Sequence, residues 1–289
     1  MTTVTGPVTG SRRAPARLRM TPGRWITLMI GVPVALVLIV GGALSLVANI
    51  GTASYQVHQT IPLDHGRLVA NDDGGDLTVH QGQPGNAARL TGTVQYSLIR
   101  PHFTVNSSTG ISLHCGLFLG NCGLSATLSV PPRTPLDLNS GGGNLQISGI
   151  QSAVTLNSGG GDVSLSGSAS AATVDSGGGN LSLSRLGGIL TFTSAGGDID
   201  GSDLTSPVVT VKSGGGNVTL TFTKVPQNID LDTSGGDISI VVPRGSTQYA
   251  IDETTSGGDY GASVPTNDLA ANKITVKSGG GNVSITEAR

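Results

Sequence analysis

The sequence predicts an all-β protein: a single-stack β-solenoid, similar to a parallel β-helix, with two strands in each coil of about 18–23 residues. An N-terminal β cap precedes the solenoid, and one transmembrane helix precedes the cap. Three observations support this prediction. They are a recurrent glycine motif, a strict alternation of apolar and polar residues on both sides of that motif, and one long uncharged segment near the N-terminus.

The N-terminal region combines a basic tail with an apolar segment. Residues 1–24 contain five arginines and no acid, and residues 25–47 contain no charge at all. A helix of that length spans a hydrocarbon core of about 30 Å. Positive charge before the span predicts a cytoplasmic tail, a single-pass transmembrane helix over 25–47, and an extracytoplasmic remainder. A cleaved signal peptide is the alternative, although the apolar run exceeds the ~7–15 residues of a signal-peptide core.

The region between the membrane segment and the repeats has a different pattern. Residues 48–66 are predicted to form a short stalk, and residues 67–135 an irregular β cap that covers the first coil. Alternating runs occur in the cap without periodic glycines. Eleven Lys and Arg stand against eighteen acids after residue 24, so no clustered cations indicate a nucleic-acid partner.

The two cysteines of the chain lie in this predicted cap. In an oxidising compartment, Cys115 and Cys122 are expected to form a disulfide that closes a small loop. Metal binding with His102 and His114 is the alternative, but the spacing matches no zinc pattern.

The repeats occupy residues 136–289. An Asn or Asp follows each glycine run, and successive copies of this anchor are 18 to 23 residues apart. An earlier, degenerate copy, DDGGDLTV, places Asp76 outside this regular series. The eight anchors of the series are Asn144, Asp162, Asn180, Asp198, Asn217, Asp237, Asp259 and Asn282.

Apolar and polar residues alternate on both sides of each anchor. Around Asp162, for example, Val154 and Leu156 precede the corner, and Val163 and Leu165 follow it, with polar residues between them. This period of two predicts one buried face on each of two strands. A single repeat cannot bury that face alone, so successive repeats are expected to stack into a solenoid.

The glycines are predicted to form corners between strands. The last two glycines before every anchor never vary, which indicates two positions with positive φ or with no room for a Cβ atom. A phosphate loop would need a Lys-Ser/Thr ending and a following helix, and neither occurs. A calcium-binding β-roll is a weaker alternative, because Asp occupies only some anchors. The alternation of Asn and Asp separates like charges, so no metal or cofactor is expected.

The residue content of the repeats predicts a protein without catalytic activity. Residues 136–289 contain no His and no Cys, and the five histidines lie between His58 and His114 with no serine or carboxylate constellation. Clustered Asp, Arg and Lys of the kind found in solenoid enzymes are missing from the pattern. The chain is therefore expected not to be an enzyme.

The repeats resemble a known family. SGGGNLSLS repeats follow a transmembrane segment and a β-rich lead-in, with SVPPRTPLDLNSGGG at the entry to the solenoid. This resembles the bacterial putative-adhesin domain, a β-strand repeat family of unknown function, over about residues 67–289. The resemblance implies a bacterial, envelope-exposed solenoid and transfers no catalytic or ligand residue.

These features together predict a membrane-anchored cell-surface interaction or adhesin-like module with an unknown envelope or surface partner. A sensory or scaffolding component of an envelope-stress system is the alternative. The last coil stops shortly after Thr286, so its edge is predicted to be uncovered. An uncovered edge allows self-association or strand docking through the C-terminal end.

Overall fold

The computed structural model describes residues 52–63, 66–97, 100–106, 110–114, 122–167 and 170–289. All regular elements in these ranges are β-strands, and no helix there is long and apolar enough to cross a membrane. The predicted cytoplasmic tail, 1–24, and the predicted transmembrane helix, 25–47, lie outside the described residues. Both stay predictions.

The described residues form strands of 4 to 11 residues. In chain order they are β1 Thr52–Pro62, β2 Leu68–Asp72, β3 Leu77–Gln81, β4 Ala87–Ser97, β5 His102–Asn106, β6 Gly110–His114, β7 Cys122–Val130, β8 Leu136–Ser140, β9 Leu145–Ser148, β10 Val154–Ser158, β11 Val163–Ser166, β12 Ala172–Ser176, β13 Leu181–Ser184, β14 Ile189–Ser194, β15 Ile199–Leu204, β16 Val208–Ser213, β17 Val218–Phe222, β18 Asn228–Thr233, β19 Ile238–Val242, β20 Tyr249–Thr255, β21 Tyr260–Ser263, β22 Asn272–Ser278 and β23 Val283–Glu287.

Two sheets share one apolar core. The first sheet has 12 strands in the order β1-β4-β7-β3-β9-β11-β13-β15-β17-β19-β23-β21. The second sheet has 11 strands in the order β20-β22-β18-β16-β14-β12-β10-β8-β2-β6-β5. The pairs β1–β4, β4–β7 and β5–β6 are antiparallel, whereas the coils stack in parallel. The predicted all-β architecture of stacked parallel strands is therefore confirmed.

Like residues stack on like residues from coil to coil. Val174 pairs with Leu156 below it and with Phe192 above it, and Leu183 pairs with Leu165. Each of these side chains is at most 1% exposed. Because the coils repeat in register, every inward position adds one apolar side chain to a continuous column, which is why one repeat alone could not be stable.

One coil keeps its core by a local irregularity. Gly201 stands at an inward position where most other coils have Leu or Ile, and the register between β15 and β17 shifts between Gly201 and Leu204. The Leu204 side chain fills the space, since a Cβ atom on Gly201 would lie 3.0 Å from Leu204 Cδ1. Leu204 is fully buried as a result.

The predicted stalk is wrong over most of its length. Residues 52–62 form β1, which pairs with β4 along all 11 residues. Val57 and Ile61 are buried on its inward face. Gln59 interrupts the apolar alternation of this segment, so the local pattern does not predict a strand. Pairing with the long strand β4 holds the segment in an extended conformation.

The start of the predicted cap, 67–135, is also placed differently. Strands β2 and β3 form a coil that stacks directly on β8 and β9 in the same register as the regular repeats. The Gly74–Gly75 corner and Asp76 provide the same geometry as the later corners. A sequence separation of 68 between Asp76 and Asn144 hides this adjacency.

The predicted C-terminal edge is wrong as well. Strands β22 and β23 do not end the stack, because they lie between the β18–β19 coil and the β20–β21 coil. Ser284 on β23 pairs with Ser239 on one side and with Gly261 on the other. The last coil of the stack, called the outer coil below, is β20–β21, which comes earlier in the chain.

Candidate functional site: a groove along the glycine corners

Seven of the eight regular corners begin with a buried hydroxyl side chain. Four residues before the anchor, a Ser or Thr donates a hydrogen bond to the backbone carbonyl two residues later, as Ser158 does to Gly160 at 2.6 Å. Thr233 takes this position in a later coil and bonds Gly235 in the same way. These hydroxyls are only 2–6% exposed, so the bond satisfies them inside the protein. A side chain that bonds its own backbone two residues ahead closes a tight turn.

The last glycine of each corner has no substitute. Its φ lies between 76° and 89° in all eight regular corners. At Gly179 a Cβ atom would also lie 2.2 Å from the carbonyl oxygen of Gly161 in the preceding coil. Positive φ and close stacking of backbones both exclude a side chain here.

The sequence-based prediction is wrong for the glycine before it. Gly178 has no positive φ, and a Cβ atom there would meet nothing within 4 Å. The first glycine is intermediate, since a Cβ atom on Gly177 would lie 2.9 Å from the Gly159 carbonyl oxygen. Ala195 occupies that first position in the next coil, which shows that the backbone can adjust to a methyl group.

The predicted anchors form one hydrogen-bonded ladder. The backbone N–H of each anchor donates to Oδ1 of the anchor in the preceding coil, at 2.7–3.0 Å. The ladder includes Asp76, which the sequence had placed outside the series. In spatial order its members are Asp76, Asn144, Asp162, Asn180, Asp198, Asn217, Asp237, Asn282 and Asp259.

Asp and Asn alternate at every step of this spatial order. Bonds that an Asp accepts measure 2.7–2.8 Å, and bonds that an Asn accepts measure 2.9–3.0 Å. The shorter distances are those expected of a hydrogen bond to a charged acceptor. Alternation leaves the carboxylates two coils apart, about 10 Å, which is the Debye length at 0.1 M salt. The ladder thus satisfies backbone donors without placing like charges side by side.

This geometry favours a structural role for the anchors over a calcium site. Oδ1 of every anchor from Asp76 to Asn282 accepts a backbone hydrogen bond, and neighbouring carboxylates are separated by an amide. Within the described ranges, no three His, Cys, Asp or Glu side chains lie close enough together to hold a metal ion.

An open groove of about 700 Å³ follows the corners along five coils. Its wall on the second sheet carries one outward side chain from each coil, at the position five residues before the anchor. The groove is therefore about 20 Å long, at one coil per 4.8 Å. These wall residues are Asn71, Asn139, Asn157, Asp175 and Thr193.

The first three wall residues form an amide ladder. Asn139 Nδ2 donates to Asn71 Oδ1 at 2.9 Å, and Asn157 Nδ2 donates to Asn139 Oδ1 at 2.7 Å. Each amide is oriented by its neighbours, so the donors and acceptors of the wall repeat at the coil spacing. The groove can hydrogen-bond an extended polar ligand that lies parallel to the stack. The sequence-based predictions do not include this groove, although an asparagine that recurs five residues before the anchors indicates it.

A buried carboxylate lies at one end of the groove. Asp72 occupies the position that Ser140 takes in the next coil, and it is 7% exposed. No group of the described residues makes a hydrogen bond of normal geometry to either carboxylate oxygen, although the Gly74 and Leu124 amides lie close enough to favour the charged form. Burial, against the influence of the Gly74 and Leu124 amides and together with the charge of Asp73, raises the pKa of Asp72 to about 7.

The predicted disulfide lies at the cap end. Cys122 begins β7 and is disulfide-bonded. Its expected partner Cys115 lies outside the described residues, so the pairing itself stays a prediction.

The fold and the corners define a repeat β-solenoid of stacked two-strand coils. The family model described as Toastrack DUF4097 matches residues 70–286, and the chain belongs to this family, whose domain has no assigned function. The predicted membership in a putative-adhesin family of unknown function is confirmed. No curated protein matches the chain.

Among solved structures, the chain is similar to a putative cell adhesion protein from Clostridium sporogenes. Identity is 10%, and the match covers 82% of this chain and 100% of the other. The TM-score is 0.24, which supports no conclusion about this chain.

Proposed function

We propose that the protein is a membrane-anchored, extracytoplasmic interaction module of adhesin type, without catalytic activity. The observation that supports this most is the corner groove, whose wall presents oriented amide, carboxylate and hydroxyl groups at one-coil spacing. A rigid, periodic wall of this kind suits a long polar polymer better than a small molecule. An extended polysaccharide or peptide of the cell envelope is the ligand class that fits.

The membrane anchor of this proposal rests on the sequence. Residues 25–47 are uncharged, and the arginines precede them. Protease treatment of intact cells tests the orientation with a C-terminal tag. The tag should be lost from intact cells, and protection of the tag until the cells are lysed would refute the proposed orientation.

Binding to purified envelope polymers tests the groove. The full-length protein should sediment with one of the polymers, and the double variant Asn139→Ala/Asn157→Ala should lose that binding. Ser164→Ala/Ser182→Ala on the other sheet is the matched control, because it also removes two outward polar groups from neighbouring coils. Equal binding by both variants would contradict a role of the groove.

A sensory or scaffolding role in envelope stress is a second candidate. The observation in its favour is the basic N-terminal tail, with arginines at 12, 13, 17, 19 and 24. Cross-linking of this tail in cells would support the second role if it captured a sensor kinase or a stress regulator. A tail that can be replaced by unrelated arginines without any effect would exclude it.

A further inference from the structure

The outer coil leaves unpaired backbone groups at the free end of the stack. Tyr249 bonds Pro265 and Asn267 of the following loop through its N–H and C=O, on the side away from β22. Backbone groups alternate sides along a strand, so Ile251, Glu253 and Thr255 turn theirs to the same free side. Strands β20 and β21 are terminal in their sheets.

Strand β21 has the same open side. The Asp259 carbonyl accepts a hydrogen bond from the Val283 N–H on β23, so Tyr260 and Ala262 turn their N–H and C=O groups to the free end. No strand of the described residues covers either edge. Such edges are templates for the addition of another strand.

The inward side chains of β21 are also uncovered. Tyr260 is 42% exposed, whereas Val283, its partner on the inner side, is 2% exposed. Ala262 is exposed next to the fully buried Ile285. One more coil on this end would bury both residues as the other coils bury theirs.

The free end is acidic. Residues 245–272 contain four acids and no Lys, Arg or His. One of the acids, Glu253, stands at an inward position opposite Val276, and no group in the described part of the chain makes a hydrogen bond to its buried Oε1. Burial raises the pKa of the nearby Tyr260 hydroxyl, and the charge of Glu253 raises it further. A cation next to Glu253 would satisfy this carboxylate.

The β22–β23 coil, which stacks on the inner side of the outer coil, indicates which kind of sequence would fit the free end. Strands β22 and β23 stack on the outer coil with Lys273 beside Ala250 and Lys277 beside Thr254. Their anchor Asn282 continues the Asp/Asn alternation to Asp259. A further coil would meet Asp259, so its own anchor should be neutral.

We propose that the free end of the outer coil docks an extended, basic, strand-forming segment of a partner protein. The segment adds a strand or a coil to β20 and β21, covers Tyr260 and Ala262, and places a Lys or Arg against Glu253. A second copy of this end is a poor occupant, because four acids would face four acids. This proposal concerns a different surface from the corner groove and does not depend on it.

A synthetic peptide provides the probe. It copies residues 272–287, which the structure already shows in contact with the other side of the same coil, but carries the change Val276→Lys, because Val276 is the residue that pairs with Glu253 there. Fluorescence anisotropy with the full-length protein should detect binding that weakens as salt increases. The same peptide with all three lysines changed to glutamate should not bind.

Two variants separate docking from simple edge protection. Glu253→Gln should weaken binding about tenfold or more, the effect of one lost charged contact. Ala262→Pro should abolish binding while the protein stays folded, because the lost N–H faces the free end. Asp230→Asn, on the outward face of β18, removes one carboxylate elsewhere and should leave binding unchanged.

Three outcomes would overturn the docking proposal. Absence of peptide binding, or binding that ignores both Glu253→Gln and Ala262→Pro, overturns the proposal. If Glu253→Val makes the protein self-associate while the wild type binds no peptide, Glu253 only protects the edge, and the docking proposal is also overturned.

Discussion

The backbone N–H of Asn282 donates to the carboxylate of Asp237 at 2.7 Å, although 45 residues separate them in the chain. Asp259 follows Asp237 directly in the series of anchors. In the stack, however, it lies beyond Asn282, and its N–H donates to Asn282 Oδ1. The final coil is thus inserted between two coils that precede it. The insertion restores the Asp/Asn alternation, which the chain order alone would break at Asp237 and Asp259.

The same insertion moves an unsuitable coil to the end of the stack. The strands of the outer coil contain Glu253, Gly261 and Ala262. If this coil lay in the middle of the stack, the Glu253 charge would be buried between two coils. At the end of the stack only one side is covered. Burial of an unpaired charge is costly, so the order of the coils lowers the free energy of the fold.

The alternation of the anchor ladder can be tested with Asn180→Asp. This change places three carboxylates in a row, with two new like-charge pairs about 5 Å apart, and should destabilise the protein by about 1–2 kcal/mol at low salt. Added salt should reduce the loss. Urea unfolding at low and high salt measures it. Asn180→Ala is the control, because it removes an acceptor, and its loss should not depend on salt.

The three glycines of one corner should respond in a graded way. Gly179→Ala should cost about 3 kcal/mol or more, because the backbone is at φ +76° and the methyl group would meet the Gly161 carbonyl. Gly178→Ala should be neutral or stabilising by about 0.4–1 kcal/mol, since the site is open. Gly177→Ala should lie between them. Equal effects at all three positions in thermal unfolding would contradict this account of the corner.

The position of β23 inside the sheet gives a prediction with proline. The Val283 N–H donates to the outer coil, so the N–H of the next residue, Ser284, faces β19. Ser284→Pro removes that hydrogen bond and should lower the free energy of unfolding by about 1–3 kcal/mol. Ala262→Pro at the free edge should cost much less. Hydrogen exchange and thermal unfolding of both variants measure the difference. Similar stability of the two variants would mean that β23 is not an internal strand.

The buried carboxylate of Asp72 predicts a pH dependence. Its pKa is raised from 3.8 to about 7, so the folded protein binds a proton that the unfolded chain has released between these values. Stability should therefore fall as the pH rises through this window and level off above it. Asp72→Ser, which introduces the residue found at this position in most other corners, should remove this slope and add on the order of 2 kcal/mol at pH 8.

Urea unfolding between pH 4 and pH 8 measures this effect. Asp230→Asn on the surface serves as the control and should retain the slope of the wild type. An Asp72→Ser protein with the pH profile of the wild type would show that this carboxylate is not the cause.

Removal of divalent metal should leave the fold intact. The anchors satisfy backbone donors with their own oxygens, so a chelator is expected to leave the Tm unchanged. Differential scanning calorimetry with and without chelator measures this. A Tm that falls by many degrees and recovers with calcium would support the β-roll alternative instead.

Much of the fold follows from local pattern in the sequence. The alternation around Asp162 and Asn180 requires strands with one buried face, because side chains alternate between the faces of a sheet. The invariant last glycine, such as Gly179, marks the corner, because a positive φ excludes other residues. The recurrence of asparagine at 139 and 157 also indicates the groove. The orientation of the Asn139 and Asn157 amides, however, depends on contacts between coils.

The sequence by itself therefore determined the strands, the corners and the need to stack. The tertiary structure decided which coil lies beside which: that Asp76 begins the ladder, that β1 is a strand, and that β20–β21 ends the stack. The physical reason is that every coil presents nearly the same edge of N–H and C=O groups, so local sequence does not specify its neighbour. That choice depends on charge and side-chain volume summed over coils far apart in the chain, as the pairing of Asn282 with Asp237 demonstrates.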